Sequence, residues 1–280
     1  MNIGLAQINT TVGDMPGNLQ KVADAYAHLV GQGAELVVYP ELVLCGYPPR
    51  DLLLKGRFVE DTESALQAFA AQTGPVPALV GFVERNPGPG GRPFHNAVAL
   101  CREGRSEVVA RKCLLPTYDV FDEARYFQPA TAPGVVELGG RRIGVTVCED
   151  LWNQPGTTDL QRYGSDPVQQ LAGQDLDLLV NLSASPWHVG KERGRVELLR
   201  QAARTCGCPV AYCNAAGGND ELIFDGHSLL VAEDGAVLGR GAGFAEDLQV
   251  AAPGTPADTE PEADDMENIR RALVLGLRDY

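Results

Sequence analysis

Short apolar runs of strand length recur along these 280 residues, separated by stretches whose apolar residues repeat at helical spacing. A chain patterned this way has few folds open to it. Residues 3–8, 36–39, 78–83, 142–147, 176–181 and 209–214 read as strands, and residues 18–31, 62–72, 159–172 and 191–206 as helices. Two strand pairs break the alternation. Residues 97–102 and 107–111 flank Glu103-Gly104, and residues 227–232 and 236–240 flank a Glu-Asp-Gly turn at 233–235, so each reads as a hairpin. Interleaved strands and helices call for α/β layering, and the hairpins exclude a purely parallel sheet. Pattern alone leaves open which layered architecture results, and whether the chain forms one large domain or two small ones.

The composition changes near the end. Residues 251–264 are rich in Pro, Ala, Thr and acids and read as an extended linker. Helical periodicity resumes over 265–280, with Ile269, Leu273 and Leu277 on one face. A helix after a linker suggests a docking segment or the start of a further domain.

Charge and cysteine usage narrow the partners. Twenty-three basic against 37 acidic residues give a net charge of -14, which repels phosphate backbones and anionic lipid and so argues against nucleic acid and membrane surfaces. The first residues show no basic stretch followed by an apolar one, and no apolar run approaches a membrane span. The seven cysteines are odd in number, and reduced thiols in a cytoplasm are expected. Cys206, Cys208 and Cys213 cluster, but no second cluster or histidine pair completes a zinc site; His28, His95 and His188 lack metal spacing. Buried small hydrophobes are the expectation for these thiols, with no metal.

Three strands end in a reactive residue. Glu41 follows the buried run LVVYP, where low-dielectric surroundings can make a carboxyl group a proton acceptor near neutrality. Lys112 closes the run VVAR. Cys148 closes IGVTV and is followed at once by two acids, an unusual place for a core thiol. A thiol is only a few per cent thiolate at pH 7, so a nucleophilic role needs a neighbouring base or cation. Taken singly, each residue also fits a solvated or structural strand end.

The ordered set resembles the Glu-Lys-Cys succession of the nitrilase superfamily, and its flanks Tyr39-Pro40-Glu41, Arg111-Lys112 with Leu115-Pro116, and Val147-Cys148-Glu149-Asp150 resemble it equally. Finer stretches at 44–53, 115–127, 148–152 and 181–186 are similar to the glutaminase part of NAD synthetases, as is the terminal stretch 272–280. The resemblance implies an α/β fold, the four-layer α-β-β-α sandwich of the nitrilase (carbon-nitrogen hydrolase) type over residues 1–250, paired into homo-oligomers through helical faces. It implies glutamine hydrolysis, with Cys148 as nucleophile, Glu41 as general base and then acid, and Lys112 with the Glu149 backbone N–H receiving the oxyanion. Glu123 matches a second glutamate that orients the lysine or the incoming water; otherwise it is a surface acid beside Arg125. Tyr118, Glu149, Ser185 and Lys191 match positions that hold the α-amino and carboxylate groups of glutamine, and Trp152 and Trp187 could wall the pocket or fill core. The helix at 265–280 then leads toward a synthetase domain, an NAD synthetase partner to which ATP and Mg belong, since no Ser-Gly-Gly-x-Asp-Ser phosphate loop occurs in the sequence. Two other functions stay open: a stand-alone amidase acting on another small amide or carbamoyl compound, and an inactive regulatory or scaffold subunit. Asp220, Glu221, Asp225 and His227 are expected to serve loop solvation and turn formation.

Overall fold

A computed structural model describes residues 1–154, 163–254 and 264–280. Its first sheet combines β1 (Ile3–Gln7), β2 (Leu36–Val38), β3 (Ala78–Arg85), β4 (Phe94–Arg102), β5 (Arg105–Arg111) and β14 (Asp247–Ala251) in the order β14-β1-β2-β3-β4-β5. The second combines β6 (Gly134–Leu138), β7 (Arg141–Val147), β8 (Leu178–Ser183), β9 (Val210–Asn214), β12 (Leu229–Val231) and β13 (Val237–Arg240) in the order β13-β12-β9-β8-β7-β6. Each has three adjacent parallel strands, β1-β2-β3 in one and β7-β8-β9 in the other, with antiparallel strands outside them. Parallel neighbours need crossovers, and helices supply them. Helices α1 (Met15–Gly31) and α2 (Phe58–Ala70) serve the first sheet; α3 (Pro167–Leu171) and α4 (Lys191–Cys206) serve the second.

The layering follows from strands that are apolar on both faces. In β1, Ile3 and Leu5 point toward the second sheet while Ala6 faces the helices. In β8, Leu178, Val180 and Leu182 face the first sheet, and Leu179 packs under α4. Three apolar cores therefore separate four layers, helix, sheet, sheet, helix. Cys206 and Cys208 lie in the outer core and Cys213 in the central one, so these thiols do not converge.

Several expectations need correction. The helix read over 159–172 is partly outside the described residues; within them it runs only over Pro167–Leu171, where Pro at the first turn and the Asp166 cap start a fresh helix. The short strands β6 and β14 and the hairpin of β10 (Ala216–Asn219) and β11 (Leu222–Asp225) lacked a readable pattern. Ala251, read as linker, closes β14 opposite Ile3, and 255–263 lies outside the described residues. Helix α5 (Asp265–Asp279) buries Asn268, Ala272 and Leu275 rather than the Ile269-Leu273-Leu277 stripe, whose Leu273 and Leu277 are exposed. The reason is steric. Gly276 and Gly218 let helix and hairpin come together, and a Cβ on Gly218 would stand 3.1 Å from the Gly276 Cα.

Candidate active site

Both sheets deliver residues to one place. Glu41 follows β2, Lys112 follows β5 and Cys148 follows β7, while Glu123 comes from a short turn at Glu123–Arg125. Lys112 is fully buried and its Nζ donates to Glu41 Oε1 at 2.7 Å and to Glu123 Oε1 at 2.8 Å. Asn96 Nδ2 donates to Glu41 Oε1 at 2.6 Å, and the Ala184 N–H, beyond β8 in the other sheet, donates to Glu41 Oε2 at 3.0 Å. Tyr47 donates to Glu123 Oε1 at 2.7 Å. Glu41 can sit this deep because Gly81 lies behind it: a Cβ there would stand 2.6 Å from the Pro40 carbonyl oxygen and 2.5 Å from the Leu42 nitrogen.

One ammonium thus serves two buried carboxyl groups. Burial pulls the Lys112 ammonium down, but Glu123 and Glu41 hold it well above its ordinary value. Burial pushes Glu123 up to about 7, against the pull of Lys112, and its Oε2 has no hydrogen-bond partner among the described residues. Burial and then the charge of Glu41 raise the Cys148 thiol well above its usual value, with Lys112 pulling the other way. A thiol so held keeps its proton at rest, and attack requires a base to remove it.

The backbone at Cys148 is strained. Its φ is 41°, in the left-handed region that side chains with a Cβ avoid, and it opens the short turn Cys148–Leu151. Such strain persists where the surroundings enforce it, commonly at functional positions.

Cys148 lies on the wall of a cavity of about 360 Å³, large enough for a small-molecule amide, that also presents Tyr118, Glu149, Ser185 and Lys191. Tyr118 donates to Glu149 at 2.9 and 3.0 Å, and Tyr163 donates to Glu149 Oε1 at 2.9 Å. Lys191 donates to the Pro186 carbonyl at 2.6 Å and lies 5.0 Å from the centre of the Trp152 ring. Burial and the neighbouring Arg195 lower it to about 8. Ser185 is fixed through its N–H, which donates to Asn214 Oδ1 at 2.9 Å. Trp152 and Trp187 do line this cavity.

Tyr47, Asn96 and Tyr163 escaped the sequence reading because polar or aromatic residues in loops and strands carry no signal of their own. The expectation of loop solvation holds for Asp220 and Glu221, which pair with Arg50 at the surface, although Glu221 also reaches the cavity rim. It fails for Asp225 and His227. Asp225 is completely buried, takes both guanidinium nitrogens of Arg195 at 2.8 and 3.0 Å, and lies 2.9 Å from His227 Nδ1. Their partners sit on α4, distant in sequence, so the turn-like local pattern hid them.

Residues 2–252 match the family model for carbon-nitrogen hydrolases, and the chain belongs to that family. By class it is a cysteine-dependent amidohydrolase, built on the four-layer sandwich of the nitrilase superfamily. More particularly, it is 41% identical, over 99% of its length, to the glutamine-dependent NAD(+) synthetase of Synechocystis sp., covering 52% of that protein. It is 38% identical over its whole length to the Thermotoga maritima enzyme of the same name, covering 45%. The chain therefore spans about half the length of these curated relatives. Among solved structures, glutamine-dependent NAD+ synthetase from Acinetobacter baumannii superposes on all of the chain with a TM-score of 0.89 at 30% identity, again over 51% of that protein. An amidase from Nesterenkonia sp. superposes with a TM-score of 0.74 at 27% identity, 91% of each chain being covered. No helix among the described residues is long and apolar enough to cross a membrane, and no group of three or more His, Cys, Asp or Glu there could hold a metal.

Proposed function

We propose that the chain hydrolyses the side-chain amide of glutamine to glutamate and ammonia through a thioester on Cys148. The observation that carries this is one buried ammonium, Lys112, held between Glu41 and Glu123 beside a strained cysteine on a cavity wall. Glu41 takes the thiol proton as sulfur attacks the amide carbon. Charge gathering on the carbonyl oxygen is met by Lys112 and the Glu149 backbone N–H, and one such donor contributes about 3–4 kcal/mol in the transition state. Glu41 returns the proton to the departing ammonia, then draws one from the water that cleaves the γ-glutamyl thioester; the thiolate leaves and is reprotonated. Glu123 holds Lys112 in place. Glu149, oriented by Tyr118, offers a carboxylate to the substrate ammonium, and Lys191 with Ser185 takes its carboxylate.

In this proposal residues 1–250 form the glutaminase, 251–264 a linker, and α5 leads toward a synthetase domain that uses the ammonia, with ATP and Mg, to amidate deamido-NAD. The relatives, twice as long and named NAD(+) synthetases, support that assignment. Seven free thiols support a cytoplasmic setting, and assembly into homo-oligomers through helical faces belongs to the same proposal.

A second candidate, a free-standing amidase, is favoured by the Nesterenkonia amidase, which matches nearly end to end and of which a mutant shows Michael addition of acrylamide at the active-site cysteine. Kinetics separate the two. Ammonia release is expected to favour glutamine over propionamide and butyramide in kcat/KM, and a glutamine-analogue electrophile to label Cys148, which an inactive scaffold would not allow. Equal or better turnover of the aliphatic amides overturns the first candidate.

A further inference from the structure

Asp150 is completely buried, and among the described residues three backbone N–H groups are its hydrogen-bond donors. Its two oxygens serve different parts of the chain. Oδ2 accepts from Val147 at 2.9 Å, bending the turn back on the residue before Cys148. Oδ1 accepts from Cys113 at 3.0 Å and Leu114 at 2.8 Å, the two residues after Lys112. The first segment leaves β7 in one sheet and the second leaves β5 in the other, so this carboxylate ties the two layers together beside the reacting groups.

A buried carboxylate is a costly way to hold a turn. Taking it out of water is unfavourable unless its hydrogen bonds compensate, and an apolar residue would fill the space more cheaply. Burial pushes Asp150 up to about 7 even with three donors, so the compensation is incomplete. The charge calls for a reason beyond packing. Lys112 is set by the first sheet, since its N–H donates to the Asn96 carbonyl at 2.8 Å, whereas Cys148 is set by the second. Two links therefore cross between the sheets here: Glu41, which holds the ammonium and accepts from the Ala184 N–H beyond β8, and Asp150, which holds the backbone on both sides. A misplacement of about 1 Å between reacting groups can cost roughly 100-fold in rate.

We propose that Asp150 is a positioning residue, a two-ended clasp that fixes Lys112 against Cys148 and maintains the strained backbone of the nucleophile. The proposal rests on Cys148 and Lys112 acting as assigned above. Asp150→Asn keeps a single acceptor oxygen, so it can hold one segment but must turn an N–H toward the other. In folded protein kcat is expected to fall about 100-fold while KM changes little. The rate of Cys148 alkylation by iodoacetamide, followed against pH, is expected to shift toward higher pH as the ammonium moves off the sulfur. Alkylation needs no amide substrate, so a failure of glutamine as substrate stays separate from a failure of the clasp. Folded Asp150→Asn with wild-type kcat and alkylation profile, or a change confined to melting temperature, overturns the proposal. If the variant does not fold, hydrogen exchange of the wild-type chain decides. Slow exchange at Cys113, Leu114 and Val147, comparable to sheet amides, supports the clasp, and exchange at loop rates at Cys113 and Leu114 overturns it.

Discussion

Two buried ionic clusters among the described residues, one around Asp225 and one around Lys112, are built on opposite principles. Around Asp225 the charges are matched: a carboxylate accepts from Arg195 through both oxygens, with His227 and Asn214 beside it. Burial raises it, but Arg195 and His227 hold it well below the ordinary carboxylate range. Around Lys112 the charges are unmatched, two carboxyl groups for one ammonium. The first arrangement fixes α4 against β11 and changes protonation only with difficulty. The second sits where a proton can be taken up or given away at modest cost, which is what acid–base chemistry on a buried thiol requires.

If that contrast is right, substitutions in the unmatched cluster change rate and those in the matched cluster change stability. Cys148→Ala has the largest expected effect, a loss of at least about 10⁴-fold in ammonia release, with the folded state retained by circular dichroism. Lys112→Met follows at about 10³-fold in kcat, since the oxyanion loses its cation and two carboxyl groups are left facing one another. Asp225→Asn is expected to cost about 3–5 kcal/mol in urea unfolding by leaving Arg195 buried without its counter-charge, while the rate per folded molecule falls far less than in Lys112→Met. A comparable rate loss in Asp225→Asn would erase the distinction between the clusters.

The smallest effect lies in pH dependence. Glu123 binds its proton more tightly folded, at about 7, than its ordinary 4.5, so its contribution to stability is present below 4.5 and lost as pH rises through 7. Glu123→Gln is expected to flatten that decline, with Asp150 leaving a residual slope of the same sign. Asp225 has the opposite sense. Its contribution is complete above the ordinary 3.8 and is lost as pH falls below it toward the depressed folded value. Unfolding curves at stepped pH for the wild type and both variants check the two signs.

Helices and buried strands were legible where one face or both faces were apolar over enough residues. The helix read over 191–206 is α4 to the residue, because Gly190 and Gly207 punctuate it at both ends. Short strands failed: β6 holds two valines between a glycine and Glu137, and β10 is Ala-Gly-Gly-Asn, whose pairing is set by its partner β11 and by α5 packing on it. Helix α5 shows the limit of periodicity. Its longest apolar stripe faces outward, and the face that meets the body carries Leu275 together with the small Ala272 and Gly276, which allow the close approach.

By itself the sequence determined the layered α/β class, through strands apolar on both faces, and the placement of Glu41, Lys112 and Cys148 at strand ends, through the apolar runs that precede them. Only the tertiary structure decided that one ammonium is shared by Glu41 and Glu123, that Asp225 finds Arg195, and that Asp150 spans two sheets. The physical reason is range. Strand and helix propensity act over neighbours three or four positions apart, whereas charge pairing and buried hydrogen bonds act between whatever side chains the packed layers bring within about 3 Å.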